Sequence, residues 1–268
     1  MVSQDASSID IFSALSNSVR IEILRNLNDS SMLSSKLAKK MNTTVQANQK
    51  HITKLTDCGM VTKGSDGRLE LTPIAKASLT QISSFTFFAK FKDYFLDHTL
   101  EGVPDKLIQR IGELSNANLI EDPMVAWEQA KAMVANCKEF LYGCSAMVPL
   151  EFYGVVKNKF KPGVKFKILS PKKMMVAKGF YEERKKTGWD DQLKKGNVEE
   201  KVVANLPLTV VVTKNNAEVL FAHKKTGQID GNMLFLSSDP KFMQWCKDLF
   251  YYYWNEVPEI KGVSFKEV

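Results

Sequence analysis

Histidine is scarce in this 268-residue chain, which has only three. Metal-centred catalysis draws heavily on imidazole, so no metal site and no cofactor are expected. The four cysteines stand far apart, at Cys58, Cys137, Cys144 and Cys246, and no two form a C-x-x-C pair. Zinc-ribbon and thioredoxin-type motifs are therefore not indicated, and reduced, mostly buried thiols are expected. No stretch approaches the roughly 20 apolar residues of a membrane span. The opening "MVSQDASSID" lacks the basic and apolar blocks of a signal peptide, so a cytoplasmic protein without membrane attachment is expected. Neither a P-loop nor G-x-G-x-x-G occurs.

What the chain does have is an ordinary 44% hydrophobic content and a net charge of +7, with a pI near 9.0. The length allows two domains. The charge favours polyanionic partners, although the placement of the lysines matters more than their number.

From Ile9 to Leu27 the apolar residues follow helical spacing in two pieces, broken around "LSNSVR" with Ser16 or Asn17 as cap. "SSMLSSKLAKKMN" predicts a short helix burying Leu33, Leu37 and Met41. "NTTVQANQKHITKLTDCGM" predicts a longer one, N-capped by Thr44 and ended by Gly59. "VTKGSDGRLELT" then alternates around a Ser-Asp-Gly turn, as a two-stranded hairpin does. Three helical elements followed by a hairpin are the order of a winged helix-turn-helix, whose helix after the turn enters the major groove. The exposed positions there are Thr44, Gln46, Gln49, Lys50, Thr53 and Lys54, with Ile52 and Leu55 facing the core. Gln bonds adenine bidentately, and Lys contacts guanine or phosphate. Lys63, Ser65 and Arg68 at the hairpin tip add contacts to flanking phosphates or the minor groove. The alternative is a small helical module with a solvated basic face.

The stretches "ALSNSVRIEILRNL", "SKLAKKM", "HITKL" and "CGMV" resemble the winged-helix domain of the arsenic-repressor (ArsR) superfamily, especially its archaeal branch. The resemblance covers roughly residues 8 to 75 and implies binding to double-stranded DNA. Two departures stand out. Asn48 occupies a usually apolar position, and "MLSSKLAKK" has no Cys for the family's metal site.

Pro73 opens a helical segment reaching about His98, with Phe85, Phe87, Phe88, Phe91, Tyr94 and Phe95 on more than one face. Such a helix is buried between two domains or forms a dimer interface. A homodimer through Phe85, Phe88, Phe91 and Phe95 would suit two-fold DNA half-sites. Gly102, Pro104 and Pro123 punctuate the stretch after His98, and the domain boundary is placed near residue 120.

Beyond Met124, helices ("MVAWEQAKAMVANC", "VPLEFYGVVKNKF") mix with strands ("KEFLYGCSAM", "VKFKILS", "PLTVVVTK", "AEVLFAHKK", "GNMLFLSS"). "PKKMMVAKGFYEERKKTG" looks like a helix with a solvated outer face. Asp239 and Pro240 open the closing helix "PKFMQWCKDLFYYYWNEV". This mixture implies a layered α/β sandwich. The order resembles half of a phospholipase-D-like fold. It is closer still to the sensor domains of archaeal winged-helix regulators of the sugar-responsive TrmB type and the methanogenesis-regulator type.

"HKKTGQID", His223 to Asp230, matches the H-x-K-x-x-x-x-D signature of phospholipase-D-type phosphodiesterases. In those enzymes, however, His and Lys alternate along a strand, and the strand in that place here is "PLTVVVTKNN". Leu208, Val210 and Asn215 then stand at the His, Lys and Asp positions, so the resemblance implies a catalytically degenerate relative. In the literal match, "TGQI" reads as a turn with His223 and Asp230 on opposite arms.

The expected fold class is α+β, with a winged helix-turn-helix over residues 1–80, linker or dimerisation helices over 81–120, and an effector-sensing α/β sandwich over 121–268. The expected protein is a DNA-binding transcription regulator and not an enzyme. An unidentified small-molecule effector would sit at the carboxyl ends of the strands, near Cys144, Ser145 and Ser170, with His223 as a further lining residue. Two alternatives stay open: a dimeric phosphodiesterase using His223, Lys225 and Asp230, and a ligand-independent architectural DNA-binding protein.

Overall fold

The computed structural model describes residues 4–146, 148–160, 163–262 and 264–268, with side chains from residue 8 onward. The chain divides into two compact units between Ser83 and Ser84.

The first unit begins with α1 (Gln4–Leu15) and α2 (Ser18–Asp29). Of the two candidate caps between them, Asn17 is the one used: its side chain accepts from the Arg20 amide. α3 (Ser34–Lys40) and α4 (Val45–Asp57) come after it, joined by a turn in which Asn42 takes φ +53°, a conformation Asn tolerates better than most residues. Thr44 caps α4 by accepting from the Ala47 amide, and Gly59 ends it at φ +68°. β1 (Val61–Lys63) and β2 (Leu69–Leu71) pair as an antiparallel wing, extended by an exchange of backbone bonds between Met32 and Leu69. Ala14, Ile23, Leu24, Leu37, Leu55 and Met60 close the core of this winged helix-turn-helix. Leu33 does not join it. It sits one residue before α3, outside the helical register, and is 46% exposed. Asn48 is buried, and its amide donates to Thr43 Oγ1 at 2.8 Å. That bond is how the helix accommodates the polar residue.

α5 (Pro73–Lys90) gives Ala75 and Leu79 to the first core and Phe87 and Phe88 to the second. α6 (Lys92–Asp97), α7 (Asp105–Ile108), a 3-10 turn (Ile111–Leu114) and β3 (Asn118–Ile120) come next. Of residues 81–120, expected as linker or dimerisation helices, 84–120 belong to the second unit, where β3 forms one edge of its sheet. Phe88, Phe91 and Phe95, expected at a dimer interface, are instead drawn into an aromatic cluster with Phe87 and Phe235 of the same unit. Phe85, at 64% exposure, is the one of the four left on the surface. The physical reason is local: the sheet offers these rings an apolar face within their own chain.

The remaining elements are α8 (Pro123–Asn136), β4 (Phe140–Cys144), α9 (Leu150–Lys157), β5 (Lys165–Pro171), β6 (Met175–Val176), α10 (Phe180–Thr187), α11 (Trp189–Lys194), β7 (Val198–Val203), β8 (Leu208–Thr213), β9 (Ala217–Phe221), β10 (Leu234–Ser237), α12 (Pro240–Glu256) and β11 (Lys266–Glu267). Seven strands form one mixed sheet in the order β3-β10-β9-β8-β4-β5-β7. β4, β5 and β7 run parallel, and the other pairings are antiparallel. α12, capped by Asp239 with Pro240 in the first turn, covers one face together with the α5–α6 aromatics. α8, α9, α10 and α11 cover the other. The result is a three-layered α/β sandwich, and the whole chain is α+β. The helix expected over residues 171–188 is shorter than its pattern. Met175–Val176 pairs with Lys266–Glu267 as strand, and Gly179 at φ +90° delays the helix to Phe180.

Candidate nucleic-acid interface and candidate ligand cavity

On the first unit, α4 turns Ile52 and Leu55 inward, which leaves Gln46, Gln49, Lys50 and Thr53 exposed along its outer side. Thr44 spends its hydroxyl on the cap. Lys54 is half-buried, with its ammonium 3.8 Å from Asp10. Lys63 and Ser65 are exposed on the wing. Arg68 also lies there, paired with Asp66 at 3.0 Å and donating to the Ser31 carbonyl. The run Ser30–Thr56, which covers α3, the turn and most of α4, contains five lysines and no carboxylate. Burial, then Lys50 and Arg20, lower the pKa of His51, so the positive field there comes from lysine and arginine.

The second unit encloses a cavity of about 360 Å³ between the sheet and α8, α9 and α10. Strand alternation decides which side chains reach it. Adjacent rows across the sheet supply its floor. One row runs Glu218, Val211, Gly143, Ile168, Glu200 through β9, β8, β4, β5 and β7. The next carries Leu220 opposite Thr209, with Ser145 and Ser170 at the ends of β4 and β5. Trp127, Phe152, Tyr153, Phe180 and Trp189 form its aromatic walls.

Of the four residues expected near a ligand, Ser145 and Ser170 line this cavity. Cys144 does not: neighbours along a strand point to opposite faces, so it lies in the core beneath α12 while Ser145 faces the cavity. Burial pushes the Cys144 thiol pKa well up. His223 has the parity of Val219 and Phe221 and likewise leaves the cavity face. Its ring lies edge-on to His98 at 5.7 Å. The polar residues missed by sequence reading include Thr209, Glu218, Glu200, Arg184 and Asn232.

Glu200 and Arg184 neutralise each other. The guanidinium makes two bonds to Glu200, at 2.8 and 3.0 Å, and a third to Asp190, while Trp189 Nε1 donates to Glu200 at 2.8 Å. Burial works against the charge of Arg184, but these bonds outweigh it and raise its pKa. Glu218 has no such support. It is 6% exposed, and burial alone pushes its pKa up to about 7. Glu218 Oε2 and Thr209 Oγ1 are buried without a hydrogen-bond partner.

The literal phosphodiesterase match is divided between the arms of a turn. Ala222 bridges to Ile229, and the His223 amide donates to the Gln228 carbonyl. Asp230 accepts from His98 Nε2 at 3.1 Å and from the Asn232 amide, and His98 is stacked flat on Tyr94. Leu208 and Val210, at the degenerate catalytic positions, are buried in the core on the α12 side. Among the described residues no group of three or more His, Cys, Asp and Glu could hold a metal ion, and no helix is long and apolar enough to cross a membrane.

No protein-family model and no curated protein matches the chain. Solved structures do show similarity. TrmBL2, an archaeal chromatin protein described as showing a novel mode of DNA binding, aligns over 90% of this chain and 94% of its own at 12% identity and a TM-score of 0.42. Nuc, a phospholipase D family member from Salmonella typhimurium, aligns over 55% of this chain and 99% of its own at 13% identity and a TM-score of 0.38. NucT from Helicobacter pylori aligns over 54% and 99% at 10% identity, also at 0.38.

Proposed function

We propose that the chain is a DNA-binding transcription regulator in which the winged helix reads duplex DNA and the cavity of the second unit holds a small-molecule effector. The observation that carries the first half is the exposed face of α4 and the wing. It combines amide side chains able to read base edges with Lys50, Lys63 and Arg68, beside a 27-residue run free of carboxylates. The second half rests on a cavity within the size range of ligand sites that holds unpartnered polar atoms. That cavity favours an effector-responsive protein over a purely architectural one. The effector changes DNA affinity by the ratio of its own affinities for the free and DNA-bound forms. A homodimer is part of this reading, with Phe85 and Leu96 among the exposed apolar residues of α5 and α6.

The phosphodiesterase reading is set aside on geometry: Asp230 is engaged by His98 rather than by His223. Selection of bound sequences from a random duplex pool by the full-length protein, followed by titration at several salt concentrations, tests the regulator. Binding that shows neither sequence preference nor salt dependence would overturn it.

A further inference from the structure

The chemistry of the effector can be read from the cavity, an inference that rests on taking the second unit as a sensor. The cavity has two polar ends on one row of the sheet. At the β7 end a cation is already in place, since Arg184 lies over the rings of Phe180 and Trp189 and is bonded to Glu200 and Asp190. At the β9 end there is a carboxyl group and no cation. Arg184 is the one basic side chain among the described lining residues, and four strand spacings, on the order of 19 Å, separate its partner Glu200 from Glu218.

Thr209 and Glu218 are diagonal neighbours on β8 and β9, since Thr209 faces Leu220 and Glu218 faces Val211. Both are more than nine-tenths buried, and each presents an oxygen with no partner. Unpaired buried oxygens cost free energy that a ligand donating N–H groups recovers. An anion would be repelled by the ionised form of Glu218 and could supply no N–H, and a purely apolar ligand would leave both oxygens as they are. Trp127 and Phe152, edge to face at 5.6 Å, supply ring surfaces that suit both an apolar body and a positive charge. Gly143, in the middle of the floor, leaves open the space that a side chain would take.

We propose that this cavity binds a small apolar cation, an aromatic or alicyclic amine, whose ammonium donates to Glu218 Oε2 and Thr209 Oγ1 while its body lies between the sheet and Trp127 and Phe152. Arg184 and Glu200 close the far end as a self-neutralised pair and do not select charge.

The test is calorimetric titration of the full-length protein with three probes of one shape: 1-naphthylmethylammonium, 1-naphthylmethanol and 1-naphthoate. The expected result is that the ammonium binds at least about tenfold more tightly than the alcohol, and the carboxylate most weakly. Glu218→Gln should remove that preference while leaving the alcohol's affinity within about threefold, and Thr209→Val, a second near-isosteric change, should weaken the ammonium several-fold. Cooperative thermal melts of both variants establish that they fold. Equal or tighter binding of the alcohol or the carboxylate overturns the proposal. So does an ammonium affinity indifferent to both substitutions, or no binding of any probe. Duplex binding measured on the same wild-type preparation separates the two readings: DNA binding without ammonium binding overturns this inference alone, and ammonium binding without DNA binding overturns the regulator.

Discussion

Glu218 and Glu200 stand on one row of the central sheet, four strands apart, and Arg184 neutralises Glu200 while Glu218 Oε2 has no partner. The two carboxylates therefore differ both in burial, Glu200 being half-buried and Glu218 buried, and in having a cationic partner. Glu200 is bonded to the Arg184 guanidinium, whereas burial drives Glu218 toward its neutral form.

The first prediction concerns pH. The pKa of Glu218 is raised from 4.5 to about 7, so the folded state keeps a proton that the unfolded chain releases in between. Stability of the second unit must then fall as pH rises from about 4.5 to about 7, and level off above that. The full loss is on the order of 3 kcal/mol. Across the sheet from Glu218, on the α12 face, lies Cys246, whose thiol pKa is raised by burial and by Glu218 itself. Within the cavity the charged groups are Arg184 and Glu200, already paired. Glu218→Gln should remove this dependence, gaining stability over the wild type at pH 8 and little at pH 4. Urea unfolding at both pH values checks it, and a variant less stable at pH 8 would refute it.

Gly143 offers a second test. A Cβ built there meets Val211, Ile168 and Leu141 side chains at 3.7 to 3.8 Å, which is ordinary contact. Gly143→Val should therefore leave the melting temperature unchanged or raise it, since a β-branched residue suits a central strand better than glycine. Its methyl groups enter the cavity floor, so binding of naphthyl probes should fall by roughly tenfold or more. Intact binding would move the ligand elsewhere.

The His98–Asp230 pair yields a third. Burial pushes Asp230 up, but the Asn232 amide and His98 outweigh it and hold its pKa below the usual value. Its contribution to stability is thus present above the ordinary carboxylate range and fades as pH falls through the lowered value. Asp230→Ala should cost about 1–3 kcal/mol at pH 7 by leaving buried His98 Nε2 without its acceptor. His223→Ala, by contrast, should stay within about 0.5 kcal/mol. Phosphodiesterase turnover in the wild type that His223→Ala abolishes would restore the enzyme reading.

These cases mark what was legible in the sequence. Thr44, Gly59, Asp239 and Pro240 act through local backbone chemistry, so the limits of α4 and α12 could be read directly. β7 is not legible in the sequence, because "VEEKVV" looks like a solvated segment. Its inward Glu200 is tolerated only because α10 delivers Arg184 and α11 delivers Trp189, partners distant in sequence. Glu218 sits inside "AEVLF", a strand that was recognised, yet which of its faces meets the cavity depends on register with β8. Cys144 and Ser145 cannot both face one site, because neighbours along a strand point to opposite faces, a constraint already present in the sequence. The aromatic run of α5 and α6 announced burial, but whether its partner was a second copy or its own sheet was not encoded locally.

The last prediction separates reading from anchoring on the winged helix. Lys50 lies on the exposed side of α4, two turns before its end, with Gln46 and Gln49 nearby, while Arg68 stands on the wing, tied to Asp66 and the Ser31 carbonyl. If α4 enters the major groove, Gln49→Ala should cost about 1–3 kcal/mol on the preferred duplex and little on random duplex. Arg68→Ala should weaken both duplexes alike and reduce the slope of log affinity against log salt by about 1. Lys50→Ala should weaken binding too, and the comparison of the two duplexes decides whether it meets a base or a phosphate. None of the three substitutions touches the core, so their melting temperatures should match the wild type. Unchanged duplex binding in both Lys50→Ala and Arg68→Ala would remove α4 and the wing from the interface.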